Sequence, residues 1–319
     1  MSEQDTPKHT TSPSALDEIE AAAGAVAEQV APATVAIGRS ARGTGVVVAE
    51  GRVVTNAHNL RDRTTQVTFA DGRSAQAAVL ALDAASDLVV LEVETGDVAP
   101  VTWAGALPGL GAAVFALSRG VRGARLSVGF VSGTDRTFRG PGGRPITGSI
   151  EHTAPMGRGS SGGPLVDRSG AVVGLNTHRL GEGFYLAQAA DAALVARVQA
   201  LTEGRAPVRA ELGIAVAPAE VARRLRRSVG LEERDGVLVR GVQEGSAADR
   251  AGVRSGDLVV RAGGADIARI DDLHEALAAH DPSTELDLGL VRGAEDLTVT
   301  VAFSTPDDGG EPAADATAD

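Results

Sequence analysis

The sequence predicts a mostly β protein, in which two antiparallel β-barrels are followed by a smaller α+β domain. Short β-rich runs broken by turns fill the chain from Gly38 to about Val131, a pattern typical of antiparallel double barrels. The 40 glycines and the aromatic share of 3% fit short strands and tight turns, with valine and leucine providing most of the burial. A length of 319 residues suits two domains with tails.

The elements follow in order along the chain. Residues 1–13 are polar and are expected to form a disordered tail. Ser14 is a suitable N-cap for a helix that ends near Val30. Asp71-Gly72 is a strong hairpin signal between two strands. The β-rich runs that we assign to barrel strands are TGVVVAE, RVVTN, TQVTFADG, SAQAAVLAL, DLVVLEV, AAVFALS and ARLSVGFVSG.

The segment GRGSSGGPL places Ser161 on a turn flanked by glycines. Gly159 can adopt backbone angles closed to other residues, so its N–H and that of Ser161 can converge on one point. Converging N–H groups of this kind form an oxyanion hole. A flexible Ser/Gly turn before a strand is the alternative interpretation of this window alone.

Two upstream segments supply the groups that a serine nucleophile needs. The run VVTNAH ends at His58, and the run SDLVVLEV begins beside Asp87. A base must accept the serine proton, and a carboxylate must orient that base. The order His58, Asp87, Ser161 is that of chymotrypsin-like double barrels. An α/β-hydrolase elbow would lead into a helix, with the acid and the histidine after the serine, whereas here two β-rich runs form a hairpin.

The chain resembles the HtrA (Deg) family of serine proteases, in which a trypsin-like domain is joined to PDZ modules. The resemblance covers about residues 24–303 and is carried by GTGVVVAEGRVVTNAH, SDLVVLEV, SVGFVSG and IEHTAPMGRGSSGGPLVD. It implies that His58 is the general base, Asp87 its orienting partner and Ser161 the nucleophile, with Gly159 and Ser161 as oxyanion donors. It also implies a trypsin-like domain at 14–202 that includes the N-terminal helix.

Two departures from the family concern substrate recognition. Ser160 stands where the family usually has asparagine, but only its backbone matters to the oxyanion hole. The run GFYLA replaces the family's GFAIP, so the family's preference for small aliphatic residues at the cleaved position is not carried over. The run LNTHR matches the edge strand that pairs with substrate, which makes Asn176, Thr177 and His178 candidate substrate-binding residues. As an exposed strand histidine, His178 also fits a role without ligand contact.

The segment DRTFRGPGGRP, from Asp135 to Pro145, is the one long glycine-proline-arginine loop of the protease region. In the family the loop at this position senses the PDZ domain and orders the oxyanion turn. We therefore expect Arg136 or Arg139 to act in regulation, the alternative being a disordered connection. A helix within AADAALVARVQALTEG closes the barrel, and residues 203–208 are expected to be a linker.

Residues 209–303 are predicted to form one PDZ domain. Glu211, Leu212, Gly213 and Ile214 match the carboxylate-binding loop, in which successive N–H groups face the carboxylate of a C-terminal peptide that adds as a strand. The runs that follow resemble the permuted strand order of bacterial PDZ domains. A helix from Asp271 to His280 would form the other wall of the groove, with Leu273, Ala276 and Leu277 as contact or core positions and His274 as a ligand contact or a plain surface residue.

Composition excludes several classes of function. A formal net charge of −12, with Lys8 the one lysine, argues against nucleic-acid binding. We expect the four arginines of the run PAEVARRLRRSVG to lie on a solvated helix face: Arg223, Arg224, Arg226 and Arg227. The absence of cysteine removes disulfides and thiol catalysis. No cofactor is expected, and no metal, because the six histidines show no ligand spacing.

The N-terminal segment lacks the basic and apolar regions of a signal peptide, and no run reaches the length of a membrane span. We therefore expect a cytoplasmic protein, or an extracytoplasmic one if the sequence is truncated. Residues 304–319 are expected to be a disordered acidic tail.

Together these observations predict an ATP-independent serine endopeptidase for unfolded or damaged protein segments, regulated by C-terminal peptides at its PDZ domain and acting in quality control. A homotrimer is possible from the resemblance, although no aromatic residue precedes Phe69. The alternative is a catalytically silent peptide-binding scaffold or holding chaperone.

Overall fold

The fold is described from a computed structural model, which covers residues 14–61, 63–139, 145–181, 183–207 and 210–303. The chain divides into two compact units between Ala206 and Pro207. The tails predicted at 1–13 and 304–319 lie outside the described residues. The predicted boundaries at 14–202, 203–208 and 209–303 stay predictions.

Helix α1 (Ala15–Val30) begins at a capping box, as the sequence predicts. The Ser14 hydroxyl accepts from the Asp17 N–H, and the Asp17 carboxylate accepts from the Ser14 N–H. This pairing satisfies two backbone donors that the helix start would leave free. Val26 and Val30 are buried in a cluster that includes Phe115 of the second barrel, so α1 is held by apolar packing.

The first barrel closes in the order β1-β2-β3-β6-β5-β4. Its interior is filled mainly by β-branched and leucine side chains that alternate along the strands, such as Val35, Ile37 and Leu91. Its strands are β1 (Thr34–Ile37), β2 (Gly43–Ala49), β3 (Arg52–Asn56), β4 (Thr64–Thr68), β5 (Ser74–Asp83) and β6 (Leu88–Glu92).

The second barrel closes in the order β10-β11-β12-β9-β8-β7. Because both barrels are closed, neither leaves a full edge strand unpaired. The two closed barrels confirm the predicted double-barrel fold. The strands of the second barrel are β7 (Ala113–Gly120), β8 (Gly123–Arg139), β9 (Pro145–His152), β10 (Pro164–Val166), β11 (Val172–Gly181) and β12 (Phe184–Ala189). Helix α2 (Ala192–Thr202) follows, capped by the Asp191 side chain.

The segment expected to be a long loop from Asp135 to Pro145 is partly strand. Residues up to Arg139 continue β8 and pair with β9, with Arg136 opposite Ser149 and Phe138 opposite Ile146. The expectation of a loop over residues 135–139 is therefore wrong, and residues 140–144 lie outside the described residues. Glycine, proline and arginine content suggested a loop, but pairing with β9 supplies backbone partners that composition does not reveal.

The second unit is an α+β domain with one sheet in the order β13-β14-β15-β17-β18, in which β16 pairs with β15. Strand β13 lies at the edge, so one side of its backbone has no strand partner in the described sheet. The elements are β13 (Ile214–Ala217), α3 (Ala219–Ser228), β14 (Val237–Val242), α4 (Ala247–Arg250), β15 (Leu258–Ala262), β16 (Ala265–Asp266), α5 (Ile270–Ala279), β17 (Leu286–Arg292) and β18 (Glu295–Val301).

The sequence predicts that all four arginines of α3 lie on a solvated face, but one of them does not. Arg226 is buried, and its guanidinium donates to the carbonyls of Glu232 and Gly293. A buried guanidinium is tolerated when backbone carbonyls satisfy its donors. Arg223 and Arg227 do pair with surface carboxylates, those of Asp235 and Glu233, so the expectation is wrong for Arg226.

In the parts of the chain that the structure describes, we find no helix with the length and apolar character needed to cross a membrane.

Candidate active site

His58 and Asp87 form a hydrogen-bonded pair at one end of the first barrel. A short 3-10 turn (Ala57–Asn59) follows β3 and carries His58, while Asp87 lies directly before β6. The His58 Nδ1 is 2.6 Å from one carboxylate oxygen of Asp87, and the His58 backbone N–H donates to the other at 2.9 Å. Asp87 is 1% exposed. The pair can therefore hold the imidazole with Nε2 free to accept a proton.

The backbone of Asp87 is itself fixed. Its φ of 54° lies in the left-handed region, which costs energy for a residue with a side chain. Its carbonyl accepts the Ala57 N–H at 3.0 Å and the Asn56 side-chain amide at 3.1 Å. Two donors on one carbonyl hold the strained conformation that points the carboxylate at His58.

Ser161 lies on the turn before β10, and residues of the first barrel contact it. The Ser161 carbonyl accepts the Thr44 N–H and the Asn59 side-chain amide, each at 2.9 Å. Since Asn59 follows His58 in the chain, these contacts bring the nucleophile and the base to the same place. All three residues predicted to be catalytic, His58, Asp87 and Ser161, thus lie at one site.

The hydroxyl of Ser161 donates to the Thr177 carbonyl at 2.8 Å. Within the described residues it makes no hydrogen bond to His58. The three residues are therefore together, with the Ser161 hydroxyl directed to the Thr177 carbonyl and not to His58.

The glycine turn has the backbone geometry that an oxyanion hole needs. Gly159 has a φ of +82°, and a Cβ there would lie 2.5 Å from the Ala41 carbonyl oxygen, so glycine is required. Within the part of the chain described, the N–H groups of Gly159 and Ser161 donate to no other residue. Both donors are available to an incoming oxygen. The Ser160 carbonyl accepts the Gly163 N–H at 3.0 Å, which fixes the peptide that carries the Ser161 N–H.

The predicted substrate strand runs beside the nucleophile. Strand β11 pairs with β10 up to Leu175, and Asn176 continues this pairing through bonds to Gly162 and Gly163, while the other side of β11 pairs with β12. The Thr177 carbonyl points to Ser161, so it lies on the side that β10 leaves unpaired. The exposed ring of His178 packs against Phe138 of β8, with ring centroids 5.4 Å apart.

A buried histidine lies next to this strand. His152 is fully buried, its Nε2 lies 3.1 Å from the Asn176 side-chain oxygen, and its ring stacks on Tyr185. Burial lowers the pKa of His152 from 6.5 to about 4, although the hydrogen bond to Asn176 opposes this shift. His152 is therefore neutral at pH 7. From the sequence, His152 was counted only among the six histidines whose spacing indicates no metal site.

A cavity of about 400 Å³ opens beside His58. Its walls are mainly apolar and include Leu60, Val79 and Leu82, with Arg61 and Arg63 also lining it. A cavity of this size next to the base can accept an apolar side chain of a bound polypeptide.

The predicted regulatory arginines lie on the β8–β9 hairpin. Arg136 forms an ion pair with Glu151, at 3.3 Å, and Glu151 also accepts the Ser132 hydroxyl. Arg139 is the last residue of β8. In the described residues Arg136 thus contacts its own hairpin and not the oxyanion turn.

The predicted carboxylate-binding loop precedes the edge strand of the second unit. Gly213 has a φ of +72°, and its carbonyl accepts the Gln243 N–H at 2.8 Å. Leu212 is buried, and its carbonyl accepts the Ala248 N–H. Glu211 and Ile214 flank them. This loop leads directly into β13, the edge strand. On α5, Leu273 and Leu277 belong to the core.

Sequence reasoning missed three polar residues around the catalytic pair: Thr44, Asn56 and Asn59. All three are at most 2% exposed, and each donates to the main chain of Gly159, Asp87 or Ser161. Thr44 and Asn56 stand within the segment that carries the predicted base, and Asn59 directly follows His58, but nothing in these segments indicates which distant groups the three side chains contact. Among the described residues, no three of His, Asp and Glu lie close enough to hold a metal ion.

Two protein families match this chain. Residues 43–175 match the trypsin-like peptidase domain, and residues 210–303 match the PDZ domain. The two matches fall in the two compact units.

Curated relatives match most of the chain. A probable periplasmic serine endoprotease DegP-like of Rhizobium meliloti is 30% identical over 285 residues, which cover 86% of this chain and 55% of the relative. One of Chlamydia trachomatis is 31% identical over 280 residues, with 84% and 55% covered. The mitochondrial serine protease HTRA2 of Bos taurus is 29% identical, with 86% and 66% covered. The chain spans about half the length of the first two relatives.

Solved structures show the same fold. The HtrA-type protease AlgW with decapeptide is 22% identical, with a TM-score of 0.61, and the match covers 89% of this chain and 99% of that one. The serine endoprotease from Yersinia pestis is 23% identical, with a TM-score of 0.59, and 88% and 96% are covered.

The expectation of a cytoplasmic protein is wrong. It is contradicted by the curated relatives from Rhizobium meliloti and Chlamydia trachomatis, which are named probable periplasmic serine endoproteases. The N-terminal sequence pattern on which the expectation depended is not a reliable guide to the compartment here.

Four observations support the same family. They are the closed double barrel with a His, Asp and Ser site, the α+β unit with an edge strand, the two domain matches and the curated relatives. The chain belongs to the HtrA family of serine proteases, in which a trypsin-like peptidase domain is followed by a PDZ domain.

Proposed function

We propose that this chain is an ATP-independent serine endopeptidase, with Ser161 as nucleophile, His58 as general base and Asp87 as its orienting partner. The observation that carries the proposal is the meeting of these residues at one site. His58 is held by both oxygens of Asp87, and Asn59, its neighbour in the chain, donates to the Ser161 carbonyl.

The proposed reaction has two stages. Ser161 Oγ attacks the scissile carbonyl carbon while His58 Nε2 takes its proton, and the Asp87 carboxylate stabilises the imidazolium that forms. The N–H groups of Gly159 and Ser161 donate to the developing oxyanion, and losing one such donor costs about 3 kcal/mol of barrier. His58 then protonates the leaving amine. Water, activated by the same histidine, hydrolyses the acyl-enzyme.

A substrate in an extended conformation fits the site. The Thr177 carbonyl lies on the side of β11 that β10 leaves unpaired, and a backbone N–H of an added strand can donate to it. Asn176, Thr177 and His178 are the substrate-binding residues of this proposal. Because only unfolded segments present a free strand, the substrates are unfolded or damaged polypeptides, and the biological role is protein quality control under stress.

The second unit is proposed to bind C-terminal peptides. Successive N–H groups of Glu211, Leu212, Gly213 and Ile214 face the peptide carboxylate, and the peptide adds beside the edge strand β13. Peptide binding there regulates cleavage, with Arg136 or Arg139 as the responding residue. The assembly proposed from the resemblance is a homotrimer, which light scattering on the eluting protein tests directly.

A second candidate function is a peptide-binding scaffold or holding chaperone without turnover. One observation favours it: the Ser161 hydroxyl donates to the Thr177 carbonyl instead of His58. A site that kept this hydrogen bond permanently would bind polypeptides without cleaving them.

Labelling by a fluorophosphonate separates the two functions. An endopeptidase forms an adduct on Ser161, found by mass spectrometry, and cleaves unfolded casein; Ser161→Ala does neither. Ser169→Ala is a matched control because Ser169 is an exposed serine on the next turn, and it keeps both activities. If no adduct forms with or without C-terminal peptides, the scaffold is the correct function.

A further inference from the structure

Thr44 of the first barrel holds the carbonyl groups on both sides of Ser160. Its hydroxyl donates to the Gly159 carbonyl at 2.6 Å, and its N–H donates to the Ser161 carbonyl at 2.9 Å. The same hydroxyl oxygen accepts the Arg119 N–H at 3.2 Å. Thr44 is fully buried. One side chain thus connects the turn that carries the oxyanion donors to both barrels.

Asn59 holds the nucleophile from the other direction. Its side-chain amide donates to the Ser161 carbonyl and to the Thr55 hydroxyl, each at 2.9 Å. The Thr55 hydroxyl in turn donates to the Thr44 carbonyl at 2.6 Å. Gly43 leaves room for the Asn59 side chain, because a Cβ on Gly43 would lie 2.2 Å from the amide carbon of Asn59.

These hydrogen bonds orient main-chain groups of the Gly159–Ser161 turn that take part in the proposed catalysis. Thr44 holds the peptide between Gly159 and Ser160, which adjoins the peptide that carries the Gly159 N–H, and so limits rotation about the Gly159 Cα at its φ of +82°. An oxyanion donor acts only if it points at the place where charge develops. The Ser161 carbonyl, held by two donors, cannot shift relative to the segment that carries His58. Buried carbonyls that lost these partners would also be costly, so the network is maintained.

We propose that Thr44 and Asn59 are positioning residues for peptide hydrolysis, Thr44 for the oxyanion hole and Asn59 for the nucleophile. The inference rests on the proposed function, since it needs an active Ser161. Neither residue touches the substrate. Each acts through the main chain of the Gly159–Ser161 turn.

The test compares Thr44→Val with Thr44→Ser in the full chain. Valine keeps the shape and removes the hydroxyl, while serine keeps the donor. With a fluorogenic peptide that the wild type cleaves, we expect Thr44→Val to lower kcat about 10- to 100-fold, less than the loss of an oxyanion donor itself. KM should stay within about twofold, and Thr44→Ser should restore most of kcat.

A transition-state readout separates positioning from a merely structural role. A peptide boronate forms a tetrahedral adduct with the serine, so its affinity should fall in proportion to kcat/KM in Thr44→Val. Affinity for an uncleaved peptide of the same sequence should not change. Thr34→Val is the matched control, because the buried Thr34 hydroxyl also donates to a carbonyl, that of Val30, which is not part of the Gly159–Ser161 turn. It should keep full activity.

Asn59→Leu tests the second contact at nearly constant volume. We expect kcat and the rate of fluorophosphonate labelling to fall together by about 10-fold or more, because the Ser161 carbonyl loses one of its two donors. Fluorescence of Trp103, the single tryptophan of the chain, checks that each variant is folded. If Thr44→Val does not fold, Thr44→Ala removes the same hydroxyl with a smaller side chain.

Two failures can be told apart. If the wild type is active but Thr44→Val and Asn59→Leu keep their kcat and boronate affinity, the positioning roles are refuted and the protease function stands. If the wild type neither cleaves nor is labelled, the proposed function itself fails.

Discussion

Asp87 has a strained backbone conformation, and its carboxylate orients His58. Its φ of 54° is costly for a residue with a side chain, yet Ala57 and Asn56 both donate to its carbonyl and keep it there. In return both carboxylate oxygens face His58. The arrangement fixes the ring by two bonds, one to the side chain and one to the backbone of the same histidine.

Asp87→Asn should lower kcat by about a thousand- to ten-thousand-fold. Asparagine keeps an acceptor for the His58 N–H, but its amide group donates to Nδ1 and so favours the wrong tautomer without a negative charge. Cleavage of a fluorogenic peptide at pH 8 measures the effect. Asp71→Asn is the control, because Asp71 is an exposed hairpin residue. A loss below tenfold for Asp87→Asn would show that Asp87 is not the orienting partner.

The burial of His152 predicts that the protease unit loses stability as the pH falls. Burial lowers its pKa to about 4 from 6.5, so the unfolded chain takes up the proton first as the pH falls. The stability provided by the neutral, buried ring is complete above pH 6.5 and is lost between pH 6.5 and about 4. The loss at pH 4.5 should be about 2 to 3 kcal/mol.

Urea unfolding followed by Trp103 fluorescence measures this loss, because the single tryptophan lies in the first unit. The free energy of unfolding should fall from pH 7.5 to pH 4.5 in the wild type. In His152→Gln, which cannot be protonated, most of this decrease should disappear even if the variant is less stable at both values. An equal decrease in both proteins would assign the acid sensitivity to other groups.

At the scale of elements, the sequence predicted those helices, strands and turns whose signals lie within one continuous segment. The helix start at Ser14, the strand before His58 and the glycine turn before Ser161 are local patterns, and their local chemistry decides them. Contacts between distant segments were missed. Thr44 meets Gly159 across 115 positions of the chain, and Asn59 meets Ser161 across 102, so neither contact leaves a local signature.

The two corrected elements have the same cause. Residues 135–139 have the composition of a loop, yet β9 supplies strand partners for them. Arg226 lies in a run of arginines that suggests a solvated helix face, yet carbonyls of Glu232 and Gly293 provide buried acceptors. In both cases hydrogen-bond partners outside the run itself override the local composition.

The sheet of the second unit contains an ion pair whose carboxylate is buried. Asp257, 1% exposed, pairs with Arg292 of β17 through two bonds of 2.8 Å. Burial alone raises the pKa of Asp257, but hydrogen bonds from Arg292 and the Arg254 N–H outweigh it, so the pKa lies below 3.8. The stability from this carboxylate is therefore present above pH 3.8 and is lost as the pH falls through its folded-state pKa.

Asp257→Asn should lower the melting temperature of the second unit by about 5 to 10 °C at pH 7, since it leaves a guanidinium without its partner charge. Calorimetry measures the change, and Trp103 fluorescence identifies the transition that belongs to the first unit. Asp266→Asn breaks an exposed ion pair with Arg261 and should shift the transition by no more than about 2 °C. Equal shifts in the two variants would contradict the importance of burial.

At the scale of the whole molecule, the proposed function places one site for strand addition on each of the two units. The first unit presents β11 beside a nucleophile, and the second presents the edge strand β13 beside a glycine loop. The fold class was predicted from turn spacing and glycine content because both are properties of the entire sequence. The compartment was not predictable in the same way, since the cellular location of a protein does not follow from the physics of its fold.

Since Ser161 and the proposed carboxylate-binding loop belong to different units, cleavage and peptide binding should be separable. Ser161→Ala should reduce turnover at least a thousand-fold, while the Kd of a fluorescent C-terminal peptide stays within about twofold of the wild type. Fluorescence anisotropy measures binding, and a saturating amount of the same peptide should not prevent fluorophosphonate labelling of Ser161. An amidated peptide is the control, because it lacks the carboxylate that the loop binds and should bind weakly. If the peptide blocks labelling, or if its binding is lost in Ser161→Ala, it occupies the active site, and the role proposed for Glu211, Leu212, Gly213 and Ile214 is wrong.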